Sequence, residues 1–111
     1  MSRPTGFPHT PDGRYFVVIG RAGPRLWRAT NPELAADDRQ RLTKQLMDAR
    51  RAIRDNKDDP ARIAAARLSV DAAKRGMGER GPLWWDDGVP DQNRRLVKNS
   101  TYAEWWEEQR R

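Results

Sequence analysis

Residues 31–78 read NPELAADDRQRLTKQLMDARRAIRDNKDDPARIAAARLSVDAAKRGMG, and the spacing of their apolar positions predicts the larger part of the fold. Ala35, Leu42, Leu46, Ala49 and Ile53 follow at intervals of 7, 4, 3 and 4, one stripe on a helix that runs to about Asp55. Asn31-Pro32 supplies its start, an N-cap followed by proline at the first helical position, and Thr30 with Glu33 offers a competing capping box one residue earlier. Asn56-Lys57-Asp58-Asp59 breaks the pattern. Asp59-Pro60 is a second cap, after which Ile63, Ala66, Val70, Ala73 and Met77 recur at 3, 4, 3 and 4 up to the stop at Gly76 and Gly78. Two helices joined by so short a turn form an antiparallel hairpin. Alanine at alternate seam positions lets them lie close but buries little area, so the hairpin needs help from the aromatic ends of the chain.

On the N-terminal side, residues 1–13 hold Pro4, Pro8 and Pro11 with two glycines and His9, and read as an extended or mobile arm. Pro11-Asp12-Gly13 is a turn into Tyr15-Phe16-Val17-Val18-Ile19, five consecutive residues that favour a strand. Gly20, Gly23 and Pro24 mark a loop, and Arg25-Leu26-Trp27-Arg28 resumes in alternation, so residues 14–29 form a β-hairpin. Two strands alone are marginal in water, and one face must lie on something apolar. On the C-terminal side four of the five Trp fall in residues 81–111. Gly81 to Trp85 reads as extended and Asp86 to Pro90 as a turn; Asp91 caps a short helix through Lys98, and Thr101 with Glu104 forms a capping box for a last helix with Tyr102, Trp105 and Trp106. Residues 107–111 are a fraying tail. The expected class is α+β: an N-terminal β-hairpin and a Trp-rich C-terminal segment (residues 81–106) packed on an antiparallel two-helix hairpin (residues 32–76), one small domain over residues 14–106.

Composition supports a thin core closed by large rings. Leu, Ile, Val and Phe make up 17 of 111 residues, below the roughly 20% under which chains tend to be disordered, but five Trp and thirteen Ala offset this. The longest wholly apolar run, Tyr15 to Ile19, is shorter than a signal-peptide core of about 7 residues or a membrane span of about 20. With no cysteine there is no disulfide framework, thiol nucleophile or thiolate zinc site, and the expectation is a cytoplasmic protein without a membrane partner or cofactor.

The formal charge is +6, and 18 of the 22 basic residues are Arg, whose planar fork suits phosphate. A GC-rich genome enriches Arg, Ala, Gly and Pro together and accounts for the same bias. Residues 1–30 carry five basic side chains against one acidic, residues 31–59 seven against seven, residues 60–80 five against two, and residues 81–111 five against six. On the first helix Asp37 and Arg41, Lys44 and Asp48, and Arg51 and Asp55 stand four apart, as on a solvated face. Arg14, Arg21, Arg25 and Arg28 lie on a two-stranded ribbon with Asp12 as their only acidic neighbour, and a ribbon of this kind can enter a major groove. The plain alternative is a hairpin edge protected by charge.

A second candidate surface joins Trp84 and Trp85, which can stack on unpaired bases or serve the core, to Arg94, Arg95 and Lys98. Nearby Asp86, Asp87 and Asp91 oppose it, and would offer oxygen ligands for Mg²⁺ in a metal-dependent nuclease, the third reading. His9 has no second histidine or cysteine for a zinc site or triad. The preferred expectation is a non-enzymatic nucleic-acid binder for DNA or RNA. The alternative is a protein-interaction adaptor using its helical hairpin or ribbon edge toward a partner or a second copy of itself.

Pro11-Asp12-Gly13-Arg14-Tyr15, Arg25-Leu26-Trp27-Arg28-Ala29-Thr30-Asn31-Pro32 and Gly81-Pro82-Leu83-Trp84-Trp85-Asp86-Asp87-Gly88 resemble a group of short, uncharacterised bacterial proteins, some labelled Tol biopolymer transport. With the stretch to Tyr102 the likeness covers most of the chain. It implies a bacterial source and a stand-alone protein, and brings no activity or site residues. In that pattern the loop between Ile19 and Leu26 is shorter, so Arg21 to Pro24 is an addition of this chain.

Overall fold

The computed structural model describes residues 7–110. Its class is α+β, with strands β1 (Tyr15–Gly20) and β2 (Gly23–Arg28), helices α1 (Ala36–Asp55), α2 (Pro60–Gly76) and α3 (Ala103–Gln109), and a 3-10 turn at Val97–Asn99. The chain divides into two compact units, one of residues through Ala29 together with those from Trp85 onward, the other Thr30–Trp84.

In the hairpin unit β1 and β2 are antiparallel, with Phe16 opposite Trp27 and Val17 opposite Leu26. Gly20 pairs with Gly23, leaving Arg21 and Ala22 as the turn, and Gly23 takes the left-handed conformation (φ +117°) that lets its neighbours stay in ordinary ones. Alternation turns Tyr15, Val17, Leu26 and Arg28 inward, and all four are buried. The returning C-terminal segment covers them. Val97 is 1% exposed, and the Tyr15 ring meets Trp85 and Tyr102 edge-on at centroid distances of 5.7 and 5.6 Å. Indole and phenol rings thus replace the missing aliphatics.

Both sides of the ribbon are partly paired from within the chain. Thr10 donates its N–H to the Tyr15 carbonyl and Val17 donates to the Pro8 carbonyl, while Leu26 exchanges backbone bonds with Arg94 and Arg95. The stretch 7–13, expected as part of a loose arm, is therefore an added edge beside β1, with Thr10 buried; residues 1–6 of that arm and Arg111 of the tail lie outside the described residues.

The helix expected from Asp91 to Lys98 is absent. Arg94 is left-handed (φ +72°), Leu96 is extended, and the backbone is spent on β2. The capping box at Thr101 also fails to form, because the Gln92 side chain takes both the Thr101 hydroxyl and its N–H at 2.9 Å. Instead Ser100 accepts from the Tyr102 N–H, and α3 follows with the half-buried Trp105 and Trp106.

In the helical unit the two predicted stripes meet. Leu42, Leu46, Ala73 and Met77 form the core, flanked by Leu34 and Val70, while Ala49 and Ala66 are buried farther along the seam. Asp59 caps α2 by accepting from the Arg62 N–H at 3.1 Å. By contrast α1 starts at Ala36, later than Asn31-Pro32 predicts, and neither expected cap is used. Asn31 accepts from the Glu33 N–H and donates its own to the Met77 carbonyl, and Thr30 donates to Glu79 at 2.7 Å. The Asn31 backbone bond and the Thr30 side-chain bond tie the entry of α1 to the end of α2.

Candidate nucleic-acid interface

The four hairpin arginines part company in the structure. Arg28 is 3% exposed and its guanidinium reaches Asp91 at 3.4 Å; Arg14 reaches Asp87 at 2.5 Å and lies over the Trp85 ring, 4.7 Å from its centroid. The expectation that Asp12 is their only acidic neighbour is thereby corrected, since the C-terminal segment brings two aspartates more than sixty residues away along the chain. Arg14 and Arg28 clamp that segment on the hairpin and are not presented together with Arg21 and Arg25.

Electrostatics follow the clamp. The bond from Arg14, with the Val89 N–H, holds the Asp87 carboxyl below its ordinary range, and Asp87 in turn raises Arg14. For Asp12 burial pushes upward, but bonds from the Tyr102 and Thr10 hydroxyls and the Arg14 N–H outweigh it, so this carboxyl too is lowered. Asp87 and Asp91 are thus engaged by arginines, and among the described residues no group of three or more His, Asp or Glu could hold a metal ion.

Of the second candidate surface, Trp85 is buried and donates its indole N–H to the Val89 carbonyl at 2.8 Å. Trp84 belongs to the helical unit, where its ring edge lies against Gly78. Arg94, Arg95 and Lys98 are exposed on the segment beside β2, though without the helical turn predicted to align Arg94 with Lys98. Arg25 joins them by donating to the Arg94 carbonyl, and Arg21 stands exposed on the hairpin turn. Of the seven basic residues in 13–29 and 92–103, Arg14 and Arg28 are taken by Asp87 and Asp91, which leaves Arg21, Arg25, Arg94, Arg95 and Lys98, and the two stretches meet where Arg25 bridges Leu96.

The outer face of the ribbon carries rings that the sequence reading did not single out. His9 bridges Phe16 and Phe16 stands opposite Trp27, so three rings share one register across three neighbouring stretches of backbone. Phe7 stacks on Phe16 at 5.7 Å and 23°, the His9 ring is 5.9 Å from Phe16, and the Arg94 guanidinium lies 6.0 Å from the Trp27 centroid. Phe7 is 38% and Trp27 37% exposed. The alternation Arg25-Leu26-Trp27-Arg28 already places Trp27 opposite in direction to Leu26, the signal that could have found this face.

Among the described residues no helix is long and apolar enough to cross a membrane. Comparison with known proteins brings no match to this chain from family models, curated proteins or solved structures.

Proposed function

We propose that this protein is a non-enzymatic nucleic-acid binder whose contact surface is the outer face of the β-ribbon and the segment beside it. Arg21, Arg25, Arg94, Arg95 and Lys98 contact phosphates, and the exposed rings meet the bases. The observation that carries this reading is the backbone pairing of residues 94–96 with β2, which gathers Arg25, Arg94, Arg95 and Lys98 next to exposed aromatic surface. A total charge of +6 alone would not carry it, because in the helical unit Asp48 and Asp71 each take two basic partners. Arginine neutralising a phosphate releases condensed counterions, so binding weakens steeply with salt.

The test is fluorescence anisotropy with short labelled DNA and RNA over a salt series. Five phosphate contacts give a slope of log K against log salt of roughly −3.5 on a single strand and −4.5 on a duplex. Replacing Arg21, Arg95 and Lys98 together by alanine reduces the steepness by about 2 on a single strand. Undetectable binding at low salt, or binding indifferent to salt, refutes the reading.

The second reading is a protein adaptor, favoured by a groove of about 770 Å³ between α1 and α2, lined in part by Ala49, Ala52, Ala65 and Ala66. Light scattering separates it from the first through self-association.

A further inference from the structure

We infer that the nucleic acid taken by the ribbon face is single-stranded, with unpaired bases stacking on the exposed rings of Phe7, which lies on Phe16, and of Trp27, which stands opposite Phe16. This rests on the nucleic-acid reading above and narrows it to one class of ligand. Three features separate an unpaired strand from a duplex. The side chains that the sheet projects outward at this register are rings, with faces to offer and few hydrogen bonds for reading base edges. In a duplex the base faces are already covered by their neighbours, and such rings find nothing to stack on.

The spacing agrees. Neighbouring strands lie about 5 Å apart, so the platforms built on Phe16 and Trp27, which share one cross-strand register, stand at a wider interval than the roughly 3.4 Å rise of a duplex strand. Bases of an opened strand can be spread to that interval. The guanidinium also fits, since Arg94 above Trp27 is a cation beside a stacking surface, and can contact a phosphate or cover the outer face of a stacked base. Finally, Phe7 and Trp27 leave aromatic surface in water on one face, with the Arg94 guanidinium beside Trp27, and this favours an aromatic polyanion over a neutral or basic partner.

The experiment compares four labelled ligands of one length on the full chain at low salt: single-stranded DNA, single-stranded RNA, the duplex, and a DNA strand whose central nucleotides are abasic. Both single strands are expected to bind at least about tenfold more tightly than the duplex, and any difference between them reports on the sugar. Abasic substitution and Trp27→Ala are each expected to weaken single-strand binding roughly 5- to 150-fold, with Trp27→Phe retaining most of it. The phenylalanine variant guards against misfolding, because it keeps a ring where alanine removes one. Equal or tighter duplex binding, or indifference to both abasic substitution and Trp27→Ala, overturns the inference while the phosphate reading stands. Failure of all four ligands to bind overturns the phosphate reading itself.

Discussion

Replacing Tyr15 by phenylalanine removes a single oxygen from the joint between the hairpin and the C-terminal segment that completes it. The ring is 1% exposed, and phenylalanine keeps its edge contacts with Trp85 and Tyr102. Two bonds at the hydroxyl disappear: it accepts from the Gln92 N–H at 2.7 Å and donates to Asp91 at 3.1 Å. Asp91 loses little, because its side chain is 41% exposed and still accepts from the Asn93 N–H and from Arg28. Gln92 is the costly partner. It is a buried residue whose amide is left without its acceptor, at about 1–3 kcal/mol, and with the weaker loss at Asp91 the total is about 2–3 kcal/mol. For a domain of this size that lowers Tm by roughly 10–20 °C. Near-UV circular dichroism melts, with hydrogen exchange at the Gln92 amide, measure both parts. A Tm within about 2 °C of the parent, with Gln92 still protected, refutes the reasoning.

The same hydroxyl gives the protein an alkaline limit. Burial pushes Tyr15 up to about 12, against the bond from the Gln92 N–H, and burial with the bond to Asp12 raises Tyr102 as well. A proton held more tightly in the folded than in the unfolded chain stabilises the fold fully below pH 10, the ordinary tyrosine value, and that contribution is lost as the pH rises towards about 12. Melts across this window should show Tm falling, with a shallower fall in Tyr15→Phe; a Tm independent of pH there contradicts the assignment. In the helical unit, Gly78→Ala places a methyl 2.8 Å from the Trp84 ring edge and 3.3 Å from the Asn31 side chain, at φ +84°. Left-handed strain and the displaced ring together cost about 2–4 kcal/mol, whereas Gly13→Ala (φ +74°), with no atom within 4 Å of the added methyl, costs about 1–2 kcal/mol, so urea melts should separate the two.

The two helices and two strands are legible in the sequence because their signals are local: periods of 3.6 and 2, a proline at the first position of α2 behind an aspartate cap, and glycines at the breaks. Local signals misread Asn31, Asp91 and Thr101, each a good cap by type, because a capping side chain is equally able to close a turn or meet a distant partner. The candidate surface was half legible. Arg21, Arg25, Arg94, Arg95 and Lys98 can be named from charge, whereas the rings of the ribbon face are not legible as a group because Trp27 and Phe16 lie eleven residues apart until the hairpin closes.

Local sequence alone settled the two long helices, the two strands and the charge carried by each, since these depend on neighbours within a few residues. Which arginines are available for an anion was decided by tertiary structure alone. Arg14 and Arg28 meet Asp87 and Asp91 across separations of 73 and 63 residues, and an arginine that has found a carboxylate has already satisfied the attraction that would draw it to a phosphate.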